Sequence, residues 1–274
     1  MVLICAHSGA PCVYNLNMDT AEIEQGLAQG EFFLEYLPIV RLADGGCVGA
    51  EALARWQRPT GVLLPDDFMP LVQNTPLAGR LTYWVIDTVA AELSGWLRSD
   101  PRVHLCINVP PELLGRGGVA YAAERSGLAA FTRQIVLEIT ERGVPDLLGM
   151  QALNAAPGLG VRLALDDVML SGVNLAILTR VPFEIIKLDR TLVSQIRPGA
   201  PRPEWLAGIA SLLKTTALDV VAEGVETDFQ AAALQESGIT LAQGFHLARP
   251  MRARALEVFH SKSRRPVGKP PGNR

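Results

Sequence analysis

Short apolar runs alternate with longer stretches of helical periodicity from about residue 20 onward. The runs Phe32–Val40, Cys47–Trp56, Val103–Val109, Gln134–Thr140, Val161–Asp167, Phe183–Asp189, Leu218–Glu223 and Leu241–Leu247 predict strands. Several are nearly unbroken, among them Val103-His104-Leu105-Cys106-Ile107 and Phe183-Glu184-Ile185-Ile186, as expected of strands covered on both faces. Helix-length stretches lie between them at Asp67–Leu97, Pro145–Ala155, Pro203–Thr216 and Asp228–Ser237. An earlier helix is predicted to start near Asp19, where Asp19-Thr20 can cap Ala21-Glu22-Ile23-Glu24. Strands interleaved with helices in this way predict the α/β class and a closed (β/α)8, TIM-like barrel. The first two runs are separated only by Arg41–Gly46, which contains Asp44-Gly45-Gly46. That is hairpin chemistry, and a parallel crossover needs a dozen or more residues, so one barrel strand is predicted to run antiparallel.

Length and composition narrow the picture. A chain of 274 residues accommodates one barrel, which typically takes about 250 residues. We divide it into a short leader (1–20), one barrel domain (21–260) and a basic, proline-rich tail (261–274), the last expected to be disordered. With 49% hydrophobic and 19% charged residues, the chain reads as a soluble globular protein. A net charge of −3 gives no general attraction to DNA or to an anionic membrane, so a phosphate ligand would need local cations. The apolar start Met1–Ala6 is too short for a signal peptide, and no run of about 20 apolar residues follows, so a cytoplasmic protein is expected. Cys5, Cys12, Cys47 and Cys106 form no C-x-x-C pair. Reduced thiols and no zinc site are expected.

The strands end in chemistry. Glu51 follows Val48-Gly49-Ala50, Asn108 follows Leu105-Cys106-Ile107, Glu138 follows Ile135-Val136-Leu137, and Asp166-Asp167 follow Leu163-Ala164-Leu165. Lys187 follows Ile185-Ile186, and Glu223 follows Val220-Val221-Ala222. In a parallel barrel these ends converge on one mouth, where barrel enzymes carry their catalytic groups. Several carboxylates gathered in a buried place repel one another and lose hydration, so a cation must sit among them. Oxygen-only ligands select Mg²⁺ or Mn²⁺ over zinc, and an Asp-Asp pair can bridge two ions in the manner used to hydrolyse phosphodiesters. Taken singly the pieces are bland: Glu-Ala-Leu is common in helices, Asp-Asp can be a turn, and a barrel-end lysine is often just an ion pair. Their shared position at the ends of separate strands sets them apart.

These residues carry a family resemblance from about Asp19 to Met251. Glu51-Ala52-Leu53-Ala54-Arg55-Trp56 resembles the signature of the EAL phosphodiesterases. Asn108, Leu137-Glu138-Ile139-Thr140-Glu141, Asp166-Asp167, Ile186-Lys187-Leu188-Asp189, Ala222-Glu223-Gly224-Val225-Glu226-Thr227 and Gln243-Gly244-Phe245 follow in the family's order. The resemblance implies hydrolysis of the bacterial second messenger cyclic di-GMP to linear pGpG, with two ions, Mg²⁺ or Mn²⁺. It implies metal ligation by Glu51, Asn108, Glu138, Asp166, Asp167 and Glu223, and catalytic roles for Lys187, Glu226 and Glu223. It also implies ligand contacts from Arg55, Gln243 and Asp189, a loop anchor at Glu141 and a homodimer.

The chain departs from the family pattern at three places. Val168-Met169-Leu170-Ser171-Gly172-Val173-Asn174 replaces a glycine-rich loop, Leu37 replaces a glutamine, and Pro110 replaces a serine. Fewer glycines restrict the loop backbone. Three readings stay open: a phosphodiesterase with weak or regulated turnover, a catalytically poor cyclic di-GMP receptor signalling through a partner, and, with least support, a nucleotide-independent interaction domain.

Overall fold

The computed structural model describes residues 18–140, 145–169 and 180–263. Its strands are β1 (Phe32–Arg41), β2 (Cys47–Arg58), β3 (Gly61–Leu63), β4 (His104–Asn108), β5 (Ile135–Thr140), β6 (Arg162–Val168), β7 (Ile185–Leu188), β8 (Asp219–Ala222) and β9 (Leu241–Ala242). They hydrogen-bond in the order β1-β9-β8-β7-β6-β5-β4-β2-β3, and an added β1–β2 pairing closes the barrel. β3 lies outside the ring as a short extension of β2. β1 is antiparallel to both β2 and β9, whereas the other neighbours around the ring are parallel. The one reversed strand follows from the Arg41–Gly46 turn, where Gly45 has φ 69° and Asp44 accepts from the Gly46 N–H.

The closing seam is short. β1 meets β9 only at Val40↔Ala242 and Arg41↔Leu241, and Tyr36 bridges to Met251. Pro38 falls between these contacts, on the phase of β1 that faces the seam, so its missing N–H removes no ladder bond.

Side chains of alternate strand positions form two distinct cores. Inside the ring, Ile39, Cys106, Val136, Ala164, Ile185 and Val221 make a compact apolar floor. Outside it, residues such as Leu105, Ile139, Leu163, Leu165, Ile186 and Val220 meet the helices. On the β1, β2 and β4 side the helix Pro76–Ser99 covers the strands with Ile86, Val89, Leu93 and Leu97, each buried and each contributing about 1.5–3 kcal/mol. A third cluster at the start of β1 and the end of β2 stacks Phe32 on Trp56 at 5.0 Å with Phe68 edge-on at 5.5 Å from Phe32. It fastens the helices Thr20–Gln29 and Pro65–Val72 to the hairpin through Ile23, Phe68 and Val72.

Three local expectations are revised. The stretch Asp67–Leu97 forms two helices, Pro65–Val72 and Pro76–Ser99. Asn74 turns left-handed with φ 59°, Thr75 is extended and caps the second helix by accepting from the Leu77 N–H, and Pro76 starts it. The last strand stops at Ala242, before the expected Leu247, because the chain turns sharply at Gly244. The C-terminal helix Ala253–Ser263 continues past the expected tail boundary at 261. The leader residues 1–17 and tail residues 264–274 lie outside the described residues. Cys47 and Cys106 are buried and unpaired, and no helix among the described residues is long and apolar enough to cross a membrane.

Gly244 supports a stability prediction. A Cβ there would lie 2.2 Å from the Val225 nitrogen and 2.3 Å from its carbonyl oxygen, at a backbone φ of 154°. Gly244→Ala is expected to destabilise the protein by about 3 kcal/mol, read from urea unfolding; an unchanged midpoint would mean the turn relaxes freely.

Candidate metal centre

The polar residues at the barrel mouth stand one interior step above the apolar floor. Two positions beyond Cys106 comes Asn108, beyond Val136 Glu138, beyond Ala164 Asp166, beyond Ile185 Lys187, beyond Val221 Glu223 and beyond Leu241 Gln243. Glu51 enters from β2, level with Cys106 of β4. On the reversed strand, Leu37 pairs with Glu51 and supplies an apolar side chain at the corresponding place.

Asp166 and Asp167 need a special device, because neighbours on a regular strand point to opposite faces. β6 pairs with β7 at Leu165↔Ile186 and next at Val168↔Leu188, so β6 carries one extra residue between these pairs. Asp167 sits in this bulge with φ 59°, a left-handed conformation that costs about 1–2 kcal/mol and that Asp tolerates better than most residues. As a result, carboxylate oxygens of Asp166, Asp167 and Glu223 come within 4.8 Å of one another. Oxygens of Glu51, Glu138 and Asp166 form a second such group. Asp166 belongs to both.

Lys187 joins the two groups. Its Nζ lies 2.9 Å from Glu51 Oε2, 2.8 Å from Glu138 Oε1, 3.1 Å from Asp166 Oδ1 and 2.8 Å from Glu223 Oε1, and the side chain is only 1% exposed. An ammonium has three protons, so at least one of these carboxylates is held by charge alone. Glu138 Oε1 and Asp166 Oδ1 indeed lack hydrogen-bond geometry although they touch the cation. Asn108 Nδ2 donates to Glu51 at 3.0 Å and Glu138 at 3.2 Å, which turns its carbonyl oxygen to other use. Gln243 Nε2 donates to Glu51 at 2.7 Å and Glu223 at 3.1 Å, while its buried Oε1 has no partner.

One positive charge cannot satisfy this cage, and the carboxyls differ accordingly. Burial works against ionised Glu51, yet Lys187, Gln243 and Asn108 overcome it and lower its pKa. Glu138 and Glu223 are pushed well above the usual carboxyl range, chiefly by burial and also by repulsion from Glu51, with Lys187 opposing. Burial, with Glu51 and Asp167 repelling, lifts Asp166 to about 6 against the pull of Lys187. The carboxylates in turn hold the buried Lys187 firmly charged. Buried orphan oxygens, two acidic triads with a shared member and an all-oxygen donor set fit hard divalent cations. A lone ammonium leaves such a set under-neutralised.

The outlying site residues fall into place around this cage. Arg55 is buried, with Nε 2.8 Å from Glu35 Oε2 and Nη1 donating to the Ala54 carbonyl. Glu35 escaped the sequence reading, although it stands two residues before Leu37 in the same interior phase. Asp189 caps the helix Arg190–Val193, accepting from the Thr191 N–H at 2.7 Å and from its hydroxyl. Gly224, just beyond Glu223, has φ 65°, and a Cβ there would meet Arg190 Cβ at 2.4 Å. Glu226 is exposed, and its carboxylate makes no contact with the cage among the described residues. Its N–H donates to Gln230 Oε1 at 2.8 Å. Val168 ends β6 in the outer core and Met169 is exposed, whereas Glu141 and Leu170–Asn174 lie outside the described residues.

The EAL domain family profile matches residues 20–250. The chain is similar to the cyclic di-GMP phosphodiesterase NbdA of Pseudomonas aeruginosa, with 35% identity over 246 residues that cover 87% of this chain and 31% of NbdA. It thus spans about a third of that relative's length. Its fold is similar to that of the EAL enzyme Bd1971 in a cAMP- and cyclic-di-GMP-bound form, with TM-score 0.79, 26% identity and coverage of 88% of this chain and 67% of that one. It is also similar to the PaMucR phosphodiesterase in complex with c-di-GMP, with TM-score 0.77, 29% identity and coverage of 86% and 98%.

The Asp189 cap yields a test that separates hydrogen bonding from charge. Asp189→Ala should lower stability by about 1 kcal/mol, whereas Asp189→Asn should keep nearly all of it, since both Asp and Asn cap helices well. Equal losses in thermal melts of the two variants would show that the carboxylate charge matters beyond the cap.

Proposed function

Because this chain belongs to the EAL domain family, we propose that it is a metal-dependent phosphodiesterase that hydrolyses cyclic di-GMP to linear pGpG. The observation that carries this reading is the pair of acidic triads sharing Asp166. Glu51, Asn108, Glu138 and Asp166 would hold one divalent ion, Mg²⁺ or Mn²⁺, and Asp166, Asp167 and Glu223 a second. Such ions, when bound, supply Lewis-acid activation of water and neutralise charge on the phosphodiester.

The chain's own residues do the rest. Asn108 and Gln243 orient Glu51, Glu138 and Glu223 through their amide donors. Gln243 Oε1 is left to accept from a water or from the ligand. Arg55, steadied by Glu35, presents its remaining guanidinium donors to a phosphate, a planar fork that lysine cannot match. Lys187 stabilises negative charge developing at phosphorus, and Glu226, exposed and out of contact with Lys187, takes the role of positioning the attacking water. Asp189 supports this side of the mouth through its cap on the segment that follows Lys187. Exposed Leu147 and Leu148 supply apolar surface for the homodimer that we include in this reading.

A second reading rests on Leu37, which puts an apolar side chain opposite Glu51 where every neighbouring strand offers a polar one. In that reading the protein binds cyclic di-GMP, turns it over poorly and signals through a protein partner. Incubation with cyclic di-GMP and Mg²⁺ or Mn²⁺, followed by chromatography, distinguishes the two. Formation of pGpG is expected; retained binding without product at high protein concentration would leave the receptor. Glu51→Ala should reduce turnover by more than about a hundredfold, and an undiminished rate would remove Glu51 from the site.

Proton linkage gives a further expectation. With its folded-state pKa raised to about 6, Asp166 keeps a proton in the folded protein at pH values where the unfolded chain has lost it. Its contribution therefore favours folding at low pH and is lost as pH rises through about 6. An ion must displace that proton and those favoured on Glu138 and Glu223, so apparent metal affinity should rise by at least roughly tenfold per pH unit below 6 and go on rising above it. Calorimetry in buffers of different ionisation enthalpy should detect the released proton, and a pH-independent affinity would count against ligation by Asp166.

A further inference from the structure

We infer that Lys187 is a built-in competitor of the first divalent ion: its ammonium claims the same three carboxylates, Glu51, Glu138 and Asp166, so that binding the ion and displacing the ammonium are one event. This rests on the metal-centre reading above and deepens it. Each member of the triad Glu51, Glu138 and Asp166 offers an oxygen both to the shared group and to Nζ, at 2.9, 2.8 and 3.1 Å. A Mg²⁺ ion draws its oxygens to about 2.0–2.1 Å in a near-octahedral shell, and two cations cannot occupy one such cage without strong repulsion.

The direction of release is also written in the geometry. The fourth carboxylate on Nζ, Glu223 at 2.8 Å, lies outside that triad, and at 17% its side chain is the most exposed of the four. With the first ion alone bound, an ammonium pushed off the triad keeps Glu223 as its partner and moves toward the open rim, where a phosphodiester would enter. Ion loading thus places the positive charge of Lys187 on the ligand side. In the ion-free protein the same charge holds the carboxylates together, because removing one partner of a buried ionic set leaves the others uncompensated.

The experiment compares wild type with Lys187→Gln by calorimetric Mg²⁺ titration and by thermal melts with and without Mg²⁺. The variant should melt lower without the ion, gain more from it than wild type does, and bind it at least about tenfold more tightly, a difference equivalent to 1.4 kcal/mol. Mg²⁺ binding to the variant that is equal to or weaker than binding to wild type would overturn the competition. If wild type itself binds no Mg²⁺, the metal-centre reading fails instead.

Should the variant not fold without the ion, ¹⁵N-lysine-labelled wild type provides the answer. The buried Lys187 ammonium should give a slowly exchanging signal, distinct from those of exposed Lys214 and Lys262, that shifts on saturation with Mg²⁺. A Lys187 signal unmoved by saturating Mg²⁺ would overturn the proposal.

Discussion

Four carboxylates around one ammonium, sealed in the mouth of a barrel, are the constraint on which the rest of this molecule depends. No arrangement of apolar packing relieves it. A buried charge costs several kcal/mol unless it is paired, and here negative groups outnumber the positive one. The protein meets the imbalance by dividing protonation unevenly: Glu51 is held ionised, while its neighbours have raised affinities for a proton. A cage in this condition has a standing preference for more positive charge. That preference, more than any single ligand atom, makes the mouth a place for cations.

The fold serves the constraint at each level. Apolar residues on both faces of the strands keep them rigid, and the floor of Ile39, Cys106, Val136, Ala164, Ile185 and Val221 excludes water from beneath the cage. The bulge at Asp167 accepts a strained backbone so that two adjacent carboxylates serve the same cavity. The tight approach of Gly224 to Arg190 locks the ends of β7 and β8 together, which keeps Lys187 and Glu223 in register. Strain and close packing therefore concentrate where geometry matters most, as expected of a site positioned by rigid elements.

Much of this was legible in the sequence because barrel strands are simple objects. A polar residue that ends an apolar run, in the interior phase, has one place to go, so Glu51, Asn108, Glu138, Asp166, Lys187 and Glu223 could be gathered from the pattern alone. The hairpin between the first two strands was equally open, since Asp44-Gly45-Gly46 leaves no room for a crossover. What escaped depends on relations between strands. The Arg55–Glu35 pair joins positions on two strands whose register is set only on folding. The bulge beside Asp167 is a property of how β6 meets β7, and the direct grip of Lys187 on four side chains depends on barrel closure. The helix break at Thr75-Pro76 was of another kind: its cap and proline were present in the sequence, but continuous hydrophobicity masked them. Gly244 likewise ended the last strand earlier than its apolar neighbours suggested, because backbone approach to Val225 is invisible in a hydrophobic pattern.

The reversed first strand has a consequence for how the molecule is entered. In an all-parallel barrel the chain arrives at the floor and must traverse a strand before it reaches the mouth. Here β1 begins beside the C-terminal end of β2, with Phe32 paired to Trp56, so the helix Thr20–Gln29 delivers the polypeptide at the rim. A pull or twist transmitted along that helix acts first on the β1–β2 arm that carries Glu35, Leu37, Glu51 and Arg55. The barrel thus has its mechanical handle and its chemical opening on the same side, with no need to send a displacement through the packed interior.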